Sequence, residues 1–178
     1  MKKVIWLCSW YPSEVDAFTG DFVQRQAEAV AQFADVEVVH VAFGEAKNSI
    51  HKRTDIALTE NIFYAPKKNK FLDFINYIGI HDDFLKDYMV RKVKPDVVHV
   101  HIPMKAGMIA LKWKRQHNIP YVITEHYGIY NTIVPDNFGT RGYFFRWMTK
   151  QIFKKASQFL AVSEAIAQDV LQRRPIWA

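Results

Sequence analysis

The sequence predicts an α/β fold built on a doubly wound parallel sheet. Three observations carry this. Apolar runs rich in β-branched residues alternate with helical stretches almost throughout the chain, the pattern of a parallel sheet joined by right-handed crossovers. The first run, Val4 to Cys8, is continuously apolar rather than alternating, as in a strand covered on both faces. Turns bearing Gly, His, Glu and Ser follow the apolar runs: Ser9-Trp10-Tyr11-Pro12 with Thr19-Gly20-Asp21-Phe22, His99-Val100-His101, Thr124-Glu125-His126-Tyr127-Gly128 and Val162-Ser163-Glu164. In an open parallel sheet the carboxyl ends of the strands are where ligands bind.

Each element has its own signal. Residues 20 to 33 read as a helix with Thr19 as N-cap, and Phe22, Gln26, Ala29, Val30 and Phe33 fall near a 3.6-residue spacing. Val36 to Phe43 is a second strand, again rich in β-branched residues. Between residues 44 and 66 the pattern is mixed, and irregular structure or a short extra strand pair is expected. Phe71 to Val93 reads as helix, with Gly79 a point of interruption. Asp96 to His101 is a strand, Pro103 to His117 a helix ended by Asn118-Ile119-Pro120, and Tyr121 to Thr124 a strand. A long loop with Gly128, Pro135 and Gly139 covers residues 127 to 140. Arg141 to Ala156 is a helix, Gln158 to Val162 a strand and Ser163 to Arg173 a last helix. With no repeat, low-complexity segment or linker in between, residues 1–178 read as a single domain.

The totals narrow the function. At 178 residues the chain can bury a sizeable core. No apolar run approaches the roughly 20 residues that span a bilayer. Met1 to Cys8 imitates a signal peptide only briefly, because Trp10, Tyr11 and Pro12 break the run and no small-residue cleavage site follows. Cys8 is the single cysteine, which fits a reducing cytoplasm. The net charge of +6 suits an anionic small substrate or anionic lipid, and without a long block of like charge it does not point to nucleic acid. Thirteen Phe, eight Tyr and five Trp mean either a large aromatic core or a surface that meets sugar rings or lipid.

Four groups of residues could carry chemistry. Gly20 opens a helix, where free backbone N–H groups and a positive dipole end favour a phosphate; the plain alternative is an ordinary turn glycine. The segment lacks both the dinucleotide and the P-loop glycine patterns. His99 and His101 share one face of their strand, with His101 nearer the carboxyl end. A strand histidine is either a hydrogen-bonded core residue or a ligand group. His126, just past Val122-Ile123-Thr124-Glu125, can donate or accept a hydrogen bond at neutral pH. Glu125 beside it could orient the ring or the substrate, although adjacent strand residues point to opposite faces. The histidine spacings match no common zinc motif, so no metal is expected. Finally Arg146, Lys150 and Lys154 recur every four residues, flanked by Phe145, Trp147 and Phe153. This stripe is either a solvated face beside an aromatic core or a patch for anionic lipid or an acidic acceptor, at the inner face of the membrane.

Taken together, the chain resembles the N-terminal half of a retaining GT-B glycosyltransferase of the family 4 type. The resemblance rests on Trp10-Tyr11-Pro12 with Gly20-Asp21-Phe22-Val23-Gln24-Arg25-Gln26-Ala27-Glu28-Ala29, on Lys94-Pro95-Asp96-Val97-Val98-His99-Val100-His101, on Thr124-Glu125-His126-Tyr127-Gly128 and on Ala161-Val162-Ser163-Glu164, in the family's order. It implies a Rossmann-like domain, one half of a GT-B architecture, that mainly holds the acceptor across a cleft from a donor-binding domain. Gly20 and Asp21 would lie against the nucleotide-sugar donor. His126 would contact the donor sugar near the reacting carbon, and His101, Glu125 and Tyr127 would line the acceptor side. The partners implied are a nucleotide sugar and a glycan or lipid-linked acceptor. Transfer would retain configuration without a required metal or other cofactor. The family's donor domain, with its E-x7-E signature, has no counterpart in these residues, which end at Arg173 to Ala178 where a linker would lead into it. The chain alone is therefore expected to be inactive. A nucleotide-sugar epimerase half and a non-catalytic α/β binding module are the competing readings.

Overall fold

The computed structural model describes residues 1–45 and 48–172. They divide into two compact units, Met1–Val98 and His99–Ala178.

The first unit holds β1 (Lys2–Cys8), α1 (Asp21–Val30), β2 (Ala34–Gly44), β3 (Ser49–Thr54), β4 (Leu58–Pro66) and α2 (Lys70–Arg91). Its strands run in the order β3-β4-β2-β1. β1 pairs with β2 and β2 with β4 in parallel, while β3 pairs antiparallel with β4. The expected extra strand pair is thus real, and its second member is a full parallel strand of the sheet. β1 is buried on both sides, as its unbroken apolar run requires. Val4, Trp6 and Cys8 join Val36, Val38, Ile62 and Tyr64 in a core with Val23 and Ala27 of α1. On the other side α2 packs on β2, and Phe63 meets Phe84 edge to face at 6.2 Å. Helices therefore cover both faces, which is the doubly wound arrangement.

Two local expectations change. α1 starts at Asp21 with Gly20, not Thr19, as its N-cap; the Thr19 hydroxyl instead donates to Asp16. Its buried residues are Val23 and Ala27, so the apolar face lies one position from the one the spacing suggested, and Phe33 is 80% exposed. In α2 the helix runs through Gly79 without a break, since the glycine faces open space and costs only its own flexibility. Asn69 caps this helix by accepting from the N–H groups of Phe71 and Leu72.

The second unit contains most of β5 (Val97–His101), then α3 (Ala106–His117), β6 (Tyr121–Glu125), a 3-10 turn (Gly128–Tyr130), α4 (Tyr143–Lys155), β7 (Gln158–Ala161) and α5 (Glu164–Gln172). The strand order is β5-β6-β7, and β6 pairs with β7 in parallel. α3 and α4 pack tightly. A Cβ on Gly107 would stand 2.6 Å from Ile152 Cγ2, and Tyr121 donates its hydroxyl to the Ile152 carbonyl at 2.5 Å. α3 ends where its Asn-Ile-Pro sequence suggested, and Asn118 closes it in the left-handed region at φ 52°. The expected extension of α5 to Arg173, and the chain end read as a linker, lie outside the described residues.

Candidate functional site

In the second unit the carboxyl ends of β5 and β6 bring three imidazoles together. Strand alternation puts His99 and His101 on one face, and their rings lie 4.1 Å apart. The His126 ring stacks on His101 at 5.3 Å and 20°. His101 Nδ1 and His126 Nε2 are hydrogen-bonded at 3.1 Å, and His99 Nε2 meets the Thr124 hydroxyl at 2.7 Å. His101 is fully buried and His126 half-buried, so His126 is the ring that a ligand can reach.

Burial sets the charge state. It holds His126 down to about 4, and His99 to about 4 with a further push from His126. His101 lies well below the ordinary imidazole value, from burial first and then from the histidines on either side. All three are neutral at pH 7, so each offers one N–H and one lone pair. A neutral imidazole at the strand end can hydrogen-bond a sugar hydroxyl without bringing a positive charge next to it.

The backbone around this stack is strained. Ile102 sits at φ 64°, in the left-handed region, although it is β-branched. Its N–H is held by the Thr124 carbonyl at 3.1 Å. Lys105, at the start of α3, has φ 65° and ψ −68°. Strain of this kind persists where the surroundings over-determine it, and it clusters at functional sites. Neither residue stood out in the sequence, since a β-branched residue before Pro103 reads as ordinary extended chain.

Glu125 does something different from what its position suggested. Its carboxylate is buried, and Oε1 accepts from the backbone N–H groups of His126 and Tyr127, each at 2.9 Å. Tyr130 adds a hydroxyl bond, and burial still raises the carboxyl to about 7. Glu125 thus shapes the turn that carries His126. Tyr127 is 37% exposed on that same turn.

In the first unit Gly20 sits at φ 81°, and a Cβ there would stand 2.6 Å from the Trp10 carbonyl carbon. The chain itself demands glycine here, because the Trp10-Tyr11 turn lies against it. Asp21 pairs with Arg25 at 2.9 Å across one helical turn. Behind the turn is a group the sequence did not single out. The buried Glu60 of β4 accepts from the Tyr11 hydroxyl at 2.5 Å and from the Gln24 amide at 2.8 Å, and pairs with Arg53 at 3.5 Å. A lone carboxylate just ahead of the apolar run Ile62 to Ala65 was the available signal.

Arg146 and Lys154 are exposed on α4, with Lys150 between them in partial exposure. Tyr143, Phe144 and Trp147 are exposed by 78%, 59% and 42%, so these aromatics are not core. Ile152 and Phe153 face inward instead. α4 has no acidic residue. Among the described residues no group of three His, Cys, Asp or Glu has the geometry to hold a metal. No helix among them is long and apolar enough to cross a membrane.

The model of Glycosyltransferase Family 4 matches residues 19–178. A Bacillus subtilis (strain 168) protein named as the teichuronic acid biosynthesis glycosyltransferase TuaC is 24% identical, covering 94% of this chain and 46% of its own. A sucrose-phosphate synthase from Thermosynechococcus elongatus superposes with a TM-score of 0.71 at 16% identity, over 99% of this chain and 46% of that one. An E. coli structure described as bound with UDP-2-fluoro glucose superposes with a TM-score of 0.60 at 10% identity, over 94% and 42%. The chain thus spans about half the length of these relatives, and its fold is the mostly parallel, Rossmann-like half of a GT-B architecture.

Proposed function

Because the chain belongs to glycosyltransferase family 4, we propose that it is the acceptor-binding half of an enzyme that moves a sugar from a nucleotide sugar to a glycan or lipid-linked acceptor, with retention of configuration. The observation that carries this reading is the neutral, half-buried His126 held at a strand's carboxyl end by a buried His101. His126 hydrogen-bonds a hydroxyl of the donor sugar close to the reacting carbon. Tyr127 lies on the acceptor side, and Glu125 supports both by fixing their turn. Gly20 and Asp21 open α1 on the donor side, where helix N–H groups favour phosphate oxygens.

The facing half of such an enzyme supplies most of the partners for the leaving diphosphate, and charge developing there must meet groups already aimed at it. The 178-residue chain alone should therefore turn over no substrate. The test mixes the purified chain with UDP- and GDP-sugars and with glycan and lipid-linked acceptors, with and without a fused donor-binding domain. Turnover is expected only in the fusion; transfer by the chain alone at rates typical of enzymes would sink the proposal.

The surface of α4 favours the lipid-linked class of acceptor. The second unit carries eleven Lys and Arg against four Asp and Glu, while the first carries thirteen against fourteen. Its exposed aromatics can enter a headgroup layer while Arg146, Lys150 and Lys154 meet lipid phosphates, at about 1 kcal/mol per cation. Sedimentation with phosphatidylcholine vesicles, with and without phosphatidylglycerol, measures this. Binding should need the anionic lipid, fall with added salt, and drop at least tenfold in Lys150→Glu/Lys154→Glu. Equal binding to neutral vesicles would leave α4 as an ordinary solvated face.

A further inference from the structure

We propose that His101 is a positioning residue: its contact with His126 fixes that ring in one orientation and one tautomer, and so decides whether His126 offers its substrate a donor or an acceptor. This rests on the reading of His126 as the group that meets the sugar.

The geometry leaves the pair little freedom. His101 is fully buried, with the His99 ring 4.1 Å away and the His126 ring stacked at 5.3 Å. His99 is tied to the Thr124 hydroxyl on β6, and the Thr124 carbonyl holds the N–H of Ile102, the residue after His101. The chain thus turns sharply at Ile102, at φ 64°, while β6 grips it on either side of His101. Thr124, His99, His101 and His126 form one contiguous stack that ends at the reachable ring.

Between two neutral imidazoles only one nitrogen can carry the shared proton. If His101 Nδ1 donates, His126 Nε2 is bare and its Nδ1 carries the N–H. If His126 Nε2 donates, its Nδ1 shows a lone pair instead. The two rings therefore share one tautomer, both Nδ1–H or both Nε2–H, and cannot change independently. In a metal site the partner on the far nitrogen of a ligating histidine sets its tautomer in the same way; here the partner is a second histidine.

The first measurement uses the unaltered chain, nitrogen-15 labelled on histidine, at pH 7. A single His126 tautomer is expected, the same as that of His101, with a scalar coupling between His101 Nδ1 and His126 Nε2 across the hydrogen bond. A mixed His126 tautomer, or no such coupling, overturns the inference without any variant having to fold. The second measurement compares His101→Phe, which keeps a ring but no nitrogen, with His101→Asn, whose amide stands near the lost Nδ1. His126 should become a tautomer mixture in the first and stay single in the second. In the fusion to a donor-binding domain His101→Phe should lower kcat by about tenfold or more at nearly constant KM, with His101→Asn recovering most of it. An unchanged His126 tautomer in His101→Phe refutes the positioning role. A changed tautomer together with full activity in His126→Ala refutes instead the reading of His126 as the substrate contact. The two failures are thereby told apart.

Discussion

In a fusion to a donor-binding domain, His126→Ala is expected to lower turnover about a hundredfold while weakening acceptor binding far less. A hydrogen bond to a hydroxyl next to the reacting carbon gains strength as charge develops there, so its loss appears in kcat more than in KM. Removing one such bond costs on the order of 2–4 kcal/mol. The imidazole titrates near 4 in the folded chain, so it stays neutral through the physiological range. The effect of the substitution should accordingly be flat from pH 6 to 9. His126→Asn should keep part of the activity, because an amide can hydrogen-bond but cannot take up a proton. Steady-state kinetics of both variants across pH decide the matter. Unchanged kcat in His126→Ala would make this residue part of the framework only, and a complete loss in His126→Asn would point to proton transfer.

Gly20→Ala is the second large effect, and it reads out as stability. Two costs add. An L-residue at φ 81° costs roughly 1–2 kcal/mol, and a Cβ 2.6 Å from the Trp10 carbonyl carbon forces the backbone turn to shift. Overpacking of this kind costs about 1–3 kcal/mol. A loss near 3 kcal/mol corresponds to a melting temperature lower by about 10 °C for a chain of this size. Gly79→Ala in α2 is the control. Its Cβ would meet nothing within 4 Å, so the variant should gain about 0.5–1 kcal/mol from helix propensity. Calorimetry of the pair tests the assignment. Equal melting temperatures for Gly20→Ala and the parent would mean that the turn is not fixed as described.

The sequence made some of this legible and hid the rest for physical reasons. Alternation along a strand is local, so the shared face of His99 and His101 could be read directly. The contact of His101 with His126 depends on how two strands lie beside one another, and no spacing within either segment encodes that. The face that α1 buries, Val23 and Ala27, lies one position from the one its apolar spacing suggests, and Gly20 closes onto Trp10 just ahead of it. Glu60 escaped notice because its partners are remote: Tyr11 lies 49 residues earlier. The role of Glu125 shows a further limit. Alternation within the strand gives Glu125 a face, but only the fold shows that the turn after β6 brings two backbone N–H groups back onto its carboxylate.

The short strand β3 has a consequence for solubility. It lies at the rim of its sheet with all six residues exposed, and three of them are His51, Lys52 and Arg53. Next to it β4 is largely buried and carries Ile62, Phe63, Tyr64 and Ala65 in succession. Without its cover, β4 would present a row of unpaired amides flanked by apolar side chains, which is a template for adding strands from other molecules. β3 pairs with that row and turns cations outward, so two copies meeting edge to edge would repel one another. Arg53 joins this outer rim to the inside, because its guanidinium also reaches Glu60. The residue that discourages self-association thus also helps to hold the carboxylate behind the Trp10-Tyr11 turn.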